Sequence, residues 1–199
     1  MMKTFAFATL VGAFALASTT AKEIGKPAPS FSAETLKGES VSLADLKGKV
    51  VVLEWVNFDC PFVKKHYSSG NLPTLQETYG KKDVVWITVN SNAPQGAVDT
   101  SAVAARAEKE GHKGTHFVLD PDGTIGKAYD AKVTPHLYII NKEGTLVYNG
   151  AIDSIASTDL DDLEKADKLF ANALDATLEG KKVENAKNQP YGCGVKYAD

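Results

Sequence analysis

The run Val50-Val51-Val52-Leu53-Glu54-Trp55-Val56 is apolar at every position but one and rich in β-branched side chains. A segment this short and this apolar suits a strand covered on both faces, because an amphipathic helix or a half-exposed strand would interleave polar residues. Such a strand demands layers on either side of a sheet. Glu54 is the single charge within it.

The rest of the chain supplies those layers. Residues 31–43 alternate loosely around Lys37-Gly38 and predict a hairpin. Helical period follows Cys60-Pro61 to about Tyr79, with a bend or break at Ser68-Ser69-Gly70 and Pro73. Residues 84–90 predict a second strand. Thr100 or Ser101 can cap a helix through Glu110. A short strand at 116–119 closes on Asp120-Pro121-Asp122-Gly123, and a helical turn at 125–129 leads to Val133-Thr134-Pro135. Strands at 136–140 and 145–148 flank the tight turn Asn141-Lys142-Glu143-Gly144. A long amphipathic helix is expected over 158–180, with Asp159, Asp161 and Asp162 in its first turn. The predicted architecture is an α/β sandwich: a mixed β-sheet flanked by helices, with an N-terminal β-hairpin and a C-terminal tail.

The ends of the chain are read differently. Lys3 followed by an apolar stretch over 5–17 and the small-residue sites Ala15-Leu16-Ala17 and Thr19-Thr20-Ala21 predicts a signal peptide. The stretch is shorter than the ~20 residues a membrane-spanning helix needs. The expected parts are a signal peptide at 1–21, cleaved after Ala17 or Ala21, a domain at 22–180, and a tail at 181–199 that carries Cys193. This places the mature protein in the periplasm, with no membrane association once the signal is removed. A net charge of -3 and a single arginine, Arg106, argue against nucleic acid as a partner.

Chemistry points to Cys60. Pro61 suits the first helical position, where its missing N–H costs nothing. That puts Cys60 at the N-cap, beside unpaired backbone N–H groups and the positive end of the helix dipole, both of which favour a thiolate. Lys64, Lys65 and His66 add positive charge within two turns, and Asp59 opposes them.

The strand, the Cys-Pro helix start and Thr134-Pro135 before a hairpin together resemble the thioredoxin superfamily. The lead-in Gly25-Lys26-Pro27-Ala28-Pro29-Ser30-Phe31 is similar to that of its redoxin branch. The run Asn57-Phe58-Asp59-Cys60-Pro61-Phe62-Val63 and the closing Tyr191-Gly192-Cys193-Gly194-Val195-Lys196-Tyr197 resemble the peroxiredoxin-like, AhpC/TSA-type group of exported proteins. The resemblance implies a cis peptide bond at Pro135, and backbone hydrogen bonds from Thr134 to an incoming substrate. It adds Pro61 and Asn57 to the substrate-facing residues, and makes Glu54 a buried acid able to relay protons. It departs from the thioredoxin Cys-x-x-Cys pattern, because the second position is Val63. The Pro and Thr/Ser of the peroxiredoxin motif are Leu53 and Asn57 here, and Arg106 falls in another element.

A lone reactive cysteine needs a second thiol for regeneration. Cys193, between two glycines on an expected flexible tip, is the only other cysteine. Three readings stay open: a resolving thiol, a permanent Cys60–Cys193 bridge, or two cysteines that never meet. The expected function is thiol–disulfide exchange with protein disulfides or a thiol reductant, with no cofactor. One alternative is a slow thiol peroxidase acting on peroxide. The other is a metal- or protein-binding module with a structural disulfide. Cys60, His66 and His136 resemble a copper set of Sco-type chaperones, but Lys64 stands where those carry a second cysteine. His66 is expected to be solvated, His112 and His116 to lie at the surface or a strand edge, and Trp55 and Trp86 to be core.

Overall fold

The computed structural model describes residues 23–92 and 99–198; the predicted signal peptide lies outside them. Strands β1 (Ser32–Glu34) and β2 (Ser40–Ser42) form the expected antiparallel hairpin. There follow β3 (Val51–Trp55), α1 (Pro61–Ser68), α2 (Asn71–Gly80), β4 (Val85–Asn90), α3 (Thr100–Lys109), β5 (His116–Leu119) and α4 (Thr124–Tyr129). Then come β6 (Val133–Thr134), β7 (His136–Ile140), β8 (Leu146–Gly150), α5 (Leu169–Leu178) and β9 (Cys193–Gly194).

The central sheet has the order β5-β4-β3-β7-β8. Strand β3 runs parallel to β4 and antiparallel to β7, and every one of its five residues is buried. Alternation along it sorts the core. Val52 and Val56 join Trp86, Leu137, Ile139 and Tyr148 against α1, α2 and α5. Leu53 and Trp55 join Ile87, Val89 and Tyr138 against α4 and the N-terminal segment. Trp55 and Trp86 are core, as expected. No helix of the described residues is long and apolar enough to cross a membrane.

The expected break after α1 falls at Gly70, whose φ of 75° lies in the left-handed region. Pro73 then sits in the first turn of α2, where backbone N–H groups have no helical partner anyway. The C-terminal helix is shorter than its periodicity suggested. Asp159 caps a 3₁₀ turn at Leu160–Asp162, and Ser154 binds Asp167 through both backbone and side chain. These local bonds from short polar side chains compete with helix, so the α-helix starts only at Leu169. Asp159, Asp161 and Asp162 belong to that turn and not to the first turn of α5.

Candidate active site around Cys60 and Cys193

The loop between β3 and α1 is set by Asn57. Its side-chain Oδ1 accepts from the Asp59 N–H at 2.9 Å, and its carbonyl accepts from the Cys60 N–H at 3.0 Å. Asn57 is therefore a turn-former, its side chain occupied within the loop. Cys60 is the N-cap of α1 in extended conformation, and Pro61 is the first helical residue. Cys60 Sγ donates to the Thr134 carbonyl at 3.0 Å across the site. The Thr134–Pro135 peptide is cis.

The tail brings the second sulfur to the same carbonyl-bearing strand. β9 pairs antiparallel with β6, with Cys193 opposite Thr134 and Gly194 opposite Val133. Both cysteines are free thiols in this structure. Their electrostatics are opposite. Burial pushes the Cys60 thiol up, yet hydrogen bonds from the Cys193 side chain, the Val63 and Cys193 backbone and Thr134 outweigh it and hold Cys60 below the usual thiol range. The Thr134 hydroxyl is buried and otherwise unpartnered. Cys193 is pushed up to about 11, by burial first and then by its hydrogen bond to Cys60 and that sulfur's charge.

Two further groups brace the site. Arg106, which the sequence placed apart from the chemistry, donates from Nη2 to the Phe58 carbonyl at 3.2 Å, approaches Asp59 at 3.4 Å and binds Glu110 at 2.6 Å. It fixes the loop that precedes Cys60. Tyr191 packs edge-on against Phe62, with ring centroids 5.6 Å apart, and its hydroxyl donates to Asp153 Oδ1. The same hydroxyl lies 3.2 Å from His66 Nε2, while His66 Nδ1 accepts from Asn71 Nδ2 at 2.8 Å.

His66 thus corrects the expectation of a solvated residue: it is fully buried, and burial lowers its pKa to about 4, against the opposing pull of Asp153. Its neutral ring adds no positive charge for Cys60. Lys65 is also buried and turns its ammonium to the Ser157 carbonyl at 3.0 Å, while Lys64 is exposed. His112 is partly buried, not a surface residue, and its Nε2 bonds Thr88 Oγ1 at 2.8 Å. His136 is a buried strand residue held by Asn149 at 2.8 Å and Tyr138 at 3.1 Å. Cys60, His66 and His136 are not gathered into a cation site. Among the described residues no group of three His, Cys, Asp or Glu side chains has that arrangement.

Glu54 lies beneath the site with no exposed surface. Its carboxylate accepts from Tyr67 at 2.9 Å, Gln76 at 2.8 Å, Trp86 at 2.7 Å and Thr88 at 3.4 Å. Burial raises its pKa, and these four hydrogen bonds work against the rise. None of them runs to Cys60. The link toward the cysteine loop is Tyr67, whose ring meets Phe58 edge-on at 5.1 Å.

The sequence did not show Arg106, Tyr191 and Asp153 as parts of the site. Tyr191 lay within the closing motif, but its partners are far away in the chain and no local pattern links them.

Known proteins share both fold and residues. A thiol-disulfide oxidoreductase, ResA, of Bacillus subtilis is 30% identical over 125 residues, 62% of this chain and 64% of that protein. The chain therefore spans just under two thirds of that relative's length. A thioredoxin-like protein of the same organism, YneN, is 30% identical over 122 residues, 61% of this chain and 68% of its own. Among solved structures, an uncharacterized conserved protein from Geobacillus kaustophilus superposes with a TM-score of 0.73 at 28% identity, over 90% of this chain and 94% of that one. The model of the AhpC/TSA family matches residues 24–149, which include Cys60, Thr134 and Pro135 but not the tail. With well over half of its length matched, the chain belongs to the AhpC/TSA family.

Proposed function

We propose that the protein catalyses thiol–disulfide exchange, with Cys60 as attacking thiolate and Cys193 as resolving thiol. The geometry carries this reading: two free thiols share one strand edge, with Cys60 at the N-cap of α1 and in contact with the Thr134 carbonyl, and Cys193 opposite Thr134 on β9. The names of the relatives ResA and YneN support it. The Cys60 thiolate attacks one sulfur of a disulfide, the S–S bond breaks, and the other sulfur leaves as a thiolate. Cys193 gives up its proton and attacks the Cys60 sulfur of the mixed disulfide. The second substrate sulfur departs and a Cys60–Cys193 disulfide remains. The substrate gains the two electrons the pair loses, and an external dithiol restores the pair. The scheme draws no proton from Glu54, because its hydrogen bonds and those of the Tyr67 hydroxyl lead to Gln76, Trp86 and Thr88 and to neither sulfur. Export to the periplasm, read from the N-terminal leader, gives the pair an oxidising compartment.

Glutathione disulfide tests the scheme. The Cys193→Ser variant should accumulate a glutathione adduct on Cys60 by mass spectrometry, whereas the unaltered protein should end as the internal disulfide. An adduct that forms equally fast in Cys60→Ser would assign the attack to Cys193 and overturn the scheme. Family membership favours a second oxidant, a hydroperoxide. There the thiolate takes one oxygen as a sulfenic acid and releases water or an alcohol, and Cys193 condenses with it, losing water. Trapping of a sulfenic acid on Cys60 in Cys193→Ser with dimedone reads out that branch.

A further inference from the structure

The more reactive sulfur is the less accessible one. Cys60 is 2% exposed, whereas Cys193 above it is partly exposed. What covers Cys60 is built rather than draped. Gly192 has a φ of 139°, and a Cβ there would lie 1.9 Å from the Thr134 carbonyl oxygen, so only glycine passes this point. Upstream, Tyr191 is anchored to Phe62 and Asp153. Downstream, the Val195 N–H bonds the Lys132 carbonyl at 3.0 Å and the Tyr197 hydroxyl bonds the Ala131 carbonyl at 2.7 Å. The Tyr197 ring fills the space over Gly126, where a Cβ would meet it at 2.6 Å. The expected flexible tip is a seated strand.

β6 is only two residues long, and β9 is its partner. Cys193 itself shows how a cysteine on an extended segment reaches Cys60: opposite Thr134, in antiparallel register. An extended polypeptide that presents a disulfide in this way must add to the same edge. From this we infer that β9 is a built-in competitor for substrate strands, and that Gly192 sets the selectivity. With the strand seated, the protein favours small disulfides, which need only a local opening. Extended polypeptide disulfides must first expel residues 191–197. This inference rests on the exchange reading above.

The test uses the full chain in a Cys193→Ser background, where Cys60 is the single thiol and mixed-disulfide formation is one step. Adding Gly192→Val forces a Cβ onto the Thr134 carbonyl and should unseat the strand. Alkylation of Cys60 by iodoacetamide should then speed up by about tenfold or more, because reactivity follows the open population. Exchange with an extended peptide carrying a cystine should rise by a similar factor, and exchange with glutathione disulfide by clearly less. Tyr197→Ala, which loosens the strand from its far end, should move all three rates in the same direction by smaller factors, and circular dichroism checks that both variants fold. The inference fails if alkylation accelerates while the peptide gains no more than glutathione disulfide, or if neither variant accelerates alkylation. Absence of any mixed disulfide in every variant would instead remove the exchange reading, and the alkylation rates would still report on the strand.

Discussion

Glu54 and Cys60 stand six residues apart, both are buried, and both carry a polar atom at the face where α1 meets the sheet. Their surroundings differ in kind. The Glu54 carboxylate is surrounded by side-chain donors from Tyr67, Gln76, Trp86 and Thr88, and the network extends through Gln76 Oε1 to the Lys113 N–H and through Thr88 to His112. At the Cys60 site the partners are a backbone carbonyl, the Val63 N–H, a second thiol and a tail, and the buried Thr134 hydroxyl has no partner besides the Cys60 sulfur. A saturated polar cluster holds one arrangement and resists change. A buried hydroxyl with no other partner beside a sulfur keeps one donor free for negative charge on that sulfur.

Removing the acceptor of the saturated cluster should have the largest effect. Glu54→Ala leaves the Tyr67, Gln76 and Trp86 donors buried and unpaired, and should cost about 4 kcal/mol in urea unfolding. Cys193→Ala should cost far less stability, since the side chain it truncates is partly exposed. A Glu54→Ala variant that unfolds like the unaltered protein would erase the contrast.

Acid should act next. His66 supports the tail and His112 the Glu54 network, and burial lowers both to about 4. Each binds its proton more weakly folded than unfolded, so stability is present above the unfolded value near 6.5 and is lost as pH falls toward 4. The loss is on the order of 2–3 kcal/mol for each ring. Glu54 has the reverse sign: its raised pKa makes the folded state hold a proton the unfolded state releases, so acidification partly offsets the histidine loss through this group. Unfolding midpoints at pH 7 and 4.5 should therefore fall with acid in the unaltered protein, and fall more steeply in Glu54→Gln, which lacks the offset.

A smaller effect separates reactivity from stability. Cys193→Ala deletes the thiol that donates to Cys60, so the pH profile of Cys60 alkylation should move to higher pH. An unmoved profile would mean that the helix N-terminus and Thr134 suffice to hold the thiolate.

The parts of this comparison were unequally legible in the sequence. The β3 run, the Cys-Pro helix start and Thr134-Pro135 before a hairpin are local patterns, and each fixed its element because periodicity and proline geometry act within a few residues. The burial of His66 was hidden because its partner Tyr191 lies 125 residues along the chain. Strand β9 was hidden because two residues have no period, and its stability comes from anchors on either side. Local bonding by Asp159 and Ser154 shortened α5 against an otherwise good helical pattern. In each case a specific polar contact overrode or escaped a regularity of the chain.

Arg106 gives the finest test of the contrast, because it braces the reactive loop from the outside. Its side chain is 39% exposed, so the pair with Asp59 at 3.4 Å is screened by water. The bond to the Phe58 carbonyl at 3.2 Å is the part that holds backbone in place. Arg106→Ala should therefore lower stability by only about 0.5–1 kcal/mol. If the loop carbonyl matters to the site, hydrogen exchange at the Asp59 and Cys60 amides should accelerate while the amides of β3 stay protected. Arg106→Lys keeps the charge but loses the planar fork that serves Phe58, Asp59 and Glu110 together, so it should behave like the alanine variant at these amides. Lysine restoring full protection would show that charge alone steadies the loop, and that the Cys60 side of the molecule is held more loosely than the geometry of Arg106 implies.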